Sequence, residues 1–163
     1  MEAAGLASSI ITFLDLSAKV ISRCHEYGAA AKNAPEFLRA IENNLPLLIK
    51  SLETLKRQSL NRTVPGEVAT ELVSIVNNAF IELKRIDQYI RMLKPANRSS
   101  SLQKLDNAIK GVFKYDAKIQ AAMEKLRGYT DTLSFYQLSV STGKTEDILR
   151  HLKSIKGGMT DLL

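Results

Sequence analysis

The sequence has 163 residues, of which 45% are hydrophobic, with 8 glycines, 4 prolines and no tryptophan. This composition suits one domain with a single core and excludes a disordered chain. The net charge of +6 permits anionic partners without selecting one. Cys24 is the only cysteine, so an intramolecular disulfide is excluded and a reducing cytosolic setting is expected.

The first predicted helix runs from Ala3 to Tyr27, with Gly28 as its C-cap, and its first half carries no charge from Ala3 to Leu14. Its apolar residues fall close to one stripe: Leu6, Ile10, Phe13, Leu14, Ile21 and Cys24. The uncharged run is shorter than the roughly 20 residues that cross a bilayer, and it lacks the basic start of a signal peptide. Two interpretations remain open, a central core helix of a bundle and a core segment that can be released.

Two further helices follow, each with apolar residues three and four positions apart. The second begins with Pro35 in its first turn, contains Pro46, where we expect a kink, and has the seam Leu38, Ile41, Leu45, Leu48, Leu52 and Leu55. The third begins near Pro65, ends at Pro95 and has the seam Val68, Leu72, Ile75, Val76, Ala79, Leu83, Ile86, Ile90 and Leu93. Both seams predict packing against neighbouring helices.

The fourth predicted helix covers about Leu102 to Val140, with a bend or break expected near Gly128. Its seam is Leu102, Leu105, Ile109, Val112, Ile119, Met123, Leu126 and Leu133. A short helix follows from about Thr145 to Lys156. The predicted fold is all-α, an up-and-down bundle of four long helices plus a short C-terminal helix. We expect one domain over 1–163, with the main bundle in 1–140 and a handover to a following domain in 141–163.

The residues that carry enzyme chemistry are not arranged for it. Cys24 and His25 are neighbours in a helix and point about 100° apart, which is wrong for a nucleophile and its base. Gly143-Lys144-Thr145 resembles the end of a phosphate-binding loop, but Leu138 occupies the position of the required glycine. No cysteine and histidine set has zinc spacing. We therefore expect no enzyme, no catalytic or metal-binding residue and no cofactor.

Lys110, Lys114 and Lys118 recur at four-residue steps on one stripe of the fourth helix. The ordinary interpretation is a solvated face; the alternative is a contact with anionic lipid, to which each basic residue contributes about 1 kcal/mol. No recognition-helix motif or base-stacking aromatic group accompanies these lysines, so nucleic acid is not an expected partner.

Three stretches carry a resemblance to a known family: residues 5–15 (GLASSIITFLD), 20–24 (VISRC) and the turn 32–35 (KNAP). They resemble the N-terminal HeLo-like domain, allied to the SesA group, that fungal NLR-like proteins carry ahead of a NACHT-type NTPase. Asp147-Ile148-Leu149 is similar to the stretch where that domain hands over to the next one. The resemblance covers essentially the whole chain, and its specific part is the N-terminal motif with the turn after it.

The resemblance implies a regulated-cell-death effector of fungal self/non-self recognition and immunity, related in architecture to the four-helix bundle of the MLKL pseudokinase. In such proteins an upstream receptor oligomerises, the N-terminal helix is exposed, and the assembled domains permeabilise the plasma membrane. The expected partners are plasma-membrane lipids on activation, further copies of the domain and an upstream or fused NLR-type receptor. The expected location is the cytoplasm at rest and the plasma membrane on activation.

Two functions follow as expectations. The first is a membrane-targeting death effector, with Leu6, Ile10, Ile11, Phe13 and Leu14 as the membrane-active residues of the first helix and the three lysines as lipid contacts. The alternative is a protein–protein interaction or oligomerisation module that never enters a membrane.

Overall fold

The computed structural model describes residues 2–30, 35–61, 63–93, 102–141 and 149–155, and within them the side chains of 2–3, 30, 102–114 and 141 are not described. Over these ranges the chain forms four long helices, α1 (Glu2–Ala30), α2 (Glu36–Leu60), α3 (Gly66–Met92) and α4 (Leu102–Ser141), and a short helical segment, α5 (149–155). No strand occurs in the described ranges. The predicted all-α fold of four long helices and a short C-terminal helix is confirmed.

The seams predicted for α2 and α3 are buried at every position. In α4 the described seam residues Ile119, Met123, Leu126 and Leu133 are buried as well, together with two tyrosines that the seam did not include, Tyr129 and Tyr136. The remaining seam residues of α4, from Leu102 to Val112, have side chains outside the described residues. Helical periodicity therefore identified the core of the bundle.

Several predicted helix ends need correction. Pro35 occupies the N-cap position of α2 with ψ of 151°, so it lies just before the helix and not in its first turn. The start of α3 at Gly66, directly after Pro65, agrees with the prediction. Gly28 does not end α1, which continues to Ala30; here Tyr27 packs near Phe37, and this tertiary contact outweighs the preference of glycine for helix ends. α4 continues through Gly128 without a break.

The four long helices occupy the corners of a bundle. α1 packs against α2 and α3, and α4 packs against the same two helices, so α1 and α4 stand at opposite corners. Between α1 and α2, and between α3 and α4, residues that come later in one helix contact residues that come earlier in the other, so each of these pairs is antiparallel. Between α2 and α4 the contacting residues advance in the same direction along both helices, so this pair is parallel. Successive helices therefore alternate in direction, and α1 lies parallel to α3.

Candidate functional site

The candidate site is α1 together with the groove between α2 and α3 in which it lies. Leu6, Ile10 and Phe13 are 0% exposed, and Val20 and Cys24 continue the same buried face. Each of the large apolar side chains contributes about 1.5–3 kcal/mol by leaving water. Both interpretations made from the sequence, a central core helix of the bundle and a core segment that can be released, are compatible with this burial, which covers about a third of the most apolar window in α1.

The five residues predicted to be membrane-active do not share one environment. Leu6, Ile10 and Phe13 lie in the core, and Leu14 is partly buried against it. Ile11 is 55% exposed. Adjacent residues in a helix point about 100° apart, so Ile11 lies away from the face that holds Ile10. The prediction included every large apolar residue of this stretch, but in the helix only the residues that point toward the core are buried.

A narrow polar stripe runs along the outer side of α1, opposite the buried face. Its members are separated by three or four residues and all of them are exposed: Ser8, Thr12, Asp15, Lys19, Ser22 and Glu26. Residues at this spacing lie above one another on a helix. α1 is therefore an amphipathic helix whose polar face is limited to one line of side chains.

The polar groups of α1 are largely satisfied within the helix itself. Thr12 donates a hydrogen bond to the carbonyl oxygen of Ser8 at 3.0 Å, and buried Ser17 donates to the carbonyl oxygen of Phe13 at 2.9 Å. Asp15 and Lys19 form an ion pair of 2.7 Å. Of the hydrogen bonds and ion pairs between described residues, none joins residues 4–22 to another helix. We call residues 4–22 the apolar segment, because within the described part of the chain only apolar contacts join it to the other helices.

The last turns of α1 are held differently. The guanidinium of Arg23 donates to Oδ1 of Asp87 on α3, and Nε of Arg91 donates to Oδ2 of the same carboxylate at 2.9 Å. Asp87 is only 5% exposed, so its charge depends on these two partners. His25 lies 3.9 Å from Glu42 of α2. We call residues 23–29 the anchored segment.

Cys24 lies in the anchored segment and is fully buried. Burial, with a smaller contribution from the charge of Glu42, raises the pKa of its thiol to about 12. A thiol with such a pKa stays protonated at neutral pH and is a poor nucleophile. The imidazole of His25 is 68% exposed and faces Glu42. The geometry gives no paired nucleophile and base here.

The length and composition of α1 also allow a role that the sequence analysis had set aside. The stretch from Ala4 to Ala29 has 26 residues, and its most apolar 18-residue window has a mean hydropathy of 1.5, so by length and composition it meets the requirements for crossing a bilayer. The prediction counted only the uncharged run that ends at Leu14, whereas this stretch also includes Asp15 and Lys19. These two residues form an exposed ion pair within the helix.

The family of the chain follows from its sequence match. The family model for SesA, described as the N-terminal domain on NACHT NTPases and P-loop NTPases, matches residues 7–133. The chain belongs to the SesA family. No match was found among the curated proteins or among the solved structures.

The SesA match covers most of α1, all of α2 and α3 and most of α4, so it includes most of the apolar segment, from residue 7 onward, and the carboxylate that holds the anchored segment. The predicted resemblance to the SesA group is thereby confirmed. It places the chain among the N-terminal signalling domains of NACHT-type proteins.

The lysine stripe of this SesA domain is described only in part. Lys118 is exposed, and its ammonium lies 5.8 Å from the ring centroid of Tyr89. The side chains of Lys110 and Lys114 lie outside the described residues, as do Gly143-Lys144-Thr145. Among the described residues, no group of histidine, cysteine, aspartate and glutamate side chains is arranged to hold a metal ion.

Sequence reasoning missed the pair formed by Arg23 and Asp87. A signal was present, because Asp87 directly follows Ile86 in the seam of α3, and a carboxylate beside a seam position needs a partner. The identity of that partner depends on which helix lies next to α3, and the sequence does not show this.

Proposed function

We propose that this chain is a membrane-targeting regulated-cell-death effector domain of a fungal NLR-like signalling protein. It rests in the cytoplasm with α1 packed in the bundle, and it moves to the plasma membrane when an upstream or fused receptor brings copies together and α1 is exposed. The domain acts without catalysis and without a cofactor. The observation that carries the proposal is α1 itself, which is long and apolar enough to cross a bilayer and is only partly covered by the bundle.

The contacts of the apolar segment support its release. Thr12 and Ser17 donate to carbonyl oxygens of α1 itself, and Asp15 pairs with Lys19 in the same helix, so leaving the bundle breaks no hydrogen bond to another helix among the described residues. Release exposes side chains such as Leu6, Ile10 and Phe13 to water, which costs about 1.5–3 kcal/mol for each side chain. A hydrocarbon environment returns a similar free energy, because it removes the same apolar surface from water.

The polar stripe supports assembly of several copies. Asp15 and Lys19 lie near the middle of the stretch from Ala4 to Ala29, and each charge placed in lipid at that depth costs about 2.5–3.5 kcal/mol. If several α1 helices assemble, the stripe can face inward and line a polar lumen, while the apolar remainder of the helix, Ile11 included, contacts lipid. Lys118 of α4, which is exposed, then serves together with Lys110 and Lys114 as a contact with anionic headgroups.

Dye leakage from anionic liposomes tests this proposal. We expect the full chain to cause leakage and a chain lacking residues 1–14 to cause none, with circular dichroism showing that the shortened chain remains helical. Equal leakage from both chains would remove α1 from the mechanism.

A single substitution in the full chain provides a sharper version of the leakage test. Ile11→Asp changes an exposed residue, so the bundle remains folded, yet it adds a charge to the helix that enters lipid, and we expect leakage to fall at least tenfold. The matched control is Ile81→Asp, which makes the same change at an isoleucine of α3 that is 48% exposed. Equal effects of the two substitutions would contradict a special role for α1.

The second candidate is an interaction module without membrane activity. Apolar side chains exposed on three other helices are available for such contacts, namely Leu47 of α2, Ile81 of α3 and Leu138 of α4. This function predicts self-association that increases with concentration in analytical ultracentrifugation, and no liposome binding at low salt. Expression in fungal cells, with localisation and viability followed together, then distinguishes the two functions in their own setting.

A further inference from the structure

A shallow groove of about 230 Å³ opens between α3 and α4, on the helix pair that does not include α1. Its lining residues are Glu82, Arg85 and Tyr89 of α3, and Lys118, Ala121, Ala122 and Lys125 of α4. The four residues from α4 recur at three and four positions, which places them along one stripe of that helix. The groove therefore brings together three cations and one carboxylate.

Glu82, the carboxylate of the groove, accepts hydrogen bonds from two of the three cations. Glu82 is 6% exposed, and its Oε1 accepts hydrogen bonds from Nη1 of Arg85 at 2.7 Å and from Nζ of Lys125 at 3.3 Å. Both cations keep further N–H groups that Glu82 does not use, because a guanidinium carries five donors and an ammonium three. The side chains of Arg85 and Lys125 are about half exposed, so these donors remain accessible from the groove.

The third cation has no such partner. Within the part of the chain that the structure describes, no carboxylate pairs with Lys118, whose ammonium lies over the ring of Tyr89. Tyr89 is in turn stacked on Tyr115 at a centroid distance of 5.5 Å, which fixes the wall on which Lys118 rests. The two alanines between Lys118 and Lys125 leave the space open. Three positive charges against one negative charge give the groove an excess of two.

We propose that this groove binds a phosphate-bearing anion, either a free phosphate compound or the phosphorylated headgroup of a lipid. A guanidinium and two ammonium groups around a small open space supply the charge-assisted donors that phosphate oxygens accept. The volume is below the roughly 300–1,000 Å³ of pockets that enclose larger ligands, so it suits one or two phosphate groups. The site lies away from α1, and its existence does not depend on whether α1 enters membranes.

The first experiment titrates inorganic pyrophosphate into the ¹⁵N-labelled full chain and follows the amide signals of residues 82–89 and 118–125 by NMR. We expect saturable shifts in these signals. Lys118→Gln should weaken binding about tenfold, the effect of losing one hydrogen bond to a charged group. The fold should be preserved, because Lys118 is exposed.

The matched control is Lys84→Gln. Lys84 is also exposed and lies 5.7 Å from the ring centroid of Phe80, so the substitution removes the same charge from the same kind of contact outside the groove. We expect it to leave pyrophosphate binding unchanged. If Lys84→Gln weakens binding as much as Lys118→Gln, general positive charge accounts for the result and the site is refuted.

The second experiment distinguishes the two sources of phosphate by sedimenting the chain with vesicles. Phosphatidylcholine vesicles containing a phosphatidylinositol phosphate are compared with phosphatidylserine vesicles of equal charge. Binding to the former alone, lost in Lys118→Gln, supports a lipid headgroup, whereas saturable pyrophosphate binding without vesicle binding supports a free ligand. The absence of both would overturn the proposal.

Discussion

The two parts of α1 belong to one continuous helix, yet the bundle holds them in different ways. The apolar segment, residues 4–22, is held by the burial of side chains such as Phe13, with its polar groups paired inside the helix. The anchored segment, residues 23–29, is held by an ion pair to a buried carboxylate of α3. Release of the first leaves an apolar groove; release of the second leaves Asp87 buried beside Arg91 alone.

The free-energy cost of a conformational change in α1 is therefore lower in the apolar segment than in the anchored segment. Separating apolar surfaces costs free energy in proportion to their area, and a membrane or a neighbouring copy restores it. Separating Arg23 from Asp87 removes one partner of a buried charge, which neither lipid nor an apolar partner replaces. α1 is thus suited to open first at its N-terminal end, with Arg23 separating from Asp87 last.

The largest predicted effect concerns the apolar segment. Phe13→Ala should lower the free energy of unfolding by about 3–5 kcal/mol, because it removes a fully buried aromatic side chain and leaves a cavity. Urea denaturation followed by circular dichroism measures this change.

The control lies on the outer side of the same segment. Ile11→Ala should change stability by no more than about 0.5 kcal/mol, since its side chain is more than half exposed. Similar losses for the two variants would mean that burial on one face does not hold the apolar segment.

The next effect concerns the anchored segment. Asp87→Asn should lower the free energy of unfolding by about 1.5–3 kcal/mol, because it leaves Arg23 and Arg91 without the charged acceptor that they share. Asp15→Asn removes an aspartate of α1 whose ion pair is exposed, and it should cost about 0.5 kcal/mol or less. The same urea titrations measure both variants.

Amide hydrogen exchange shows which part of the chain loses stability in Asp87→Asn. In Asp87→Asn the amides of residues 23–29 should exchange faster than in the parent chain, because the end of α1 then opens locally without global unfolding. Unchanged exchange in these residues would show that the ion pair does not anchor α1, whatever its effect on total stability.

The sequence was sufficient to predict the bundle, because its main signal is local. A residue such as Leu52 or Leu83 lies in the core if its neighbours three and four positions away are also apolar, and the seams of α2 and α3 follow this rule throughout. The rule is less informative for α1, where apolar side chains also occur outside the buried face. Ile11 was therefore grouped with Ile10, although the helix turns the two residues in different directions.

The anchor of α1 was beyond sequence reasoning, because it joins residues 64 positions apart. The pairing requires α1 to lie beside α3, and this follows from how four helices with similar seams share the corners of the bundle. The same limit applies to the groove between α3 and α4, where Glu82 meets Lys125 across 43 positions. Local propensity also misled at Gly28, where packing extends the helix by two residues.

The smallest predicted effect uses Cys24 to test whether the anchored segment stays closed. Burial raises the pKa of this thiol from 9.0 to about 12, so the folded chain keeps the proton at pH values where the unfolded chain has lost it. The unfolded state alone gains charge as the pH rises past 9.0, and stability should therefore fall by about 1 kcal/mol between about pH 8 and about pH 9.5. Tyr27, Tyr129 and Tyr136 also have raised pKa values, but they start from 10.0 and act mainly at higher pH. Cys24→Ala should remove most of this pH dependence in urea titrations across that range. If the parent chain and Cys24→Ala lose stability equally, the thiol is not shielded and the anchored segment is open in solution, which would end the distinction between the two parts of α1.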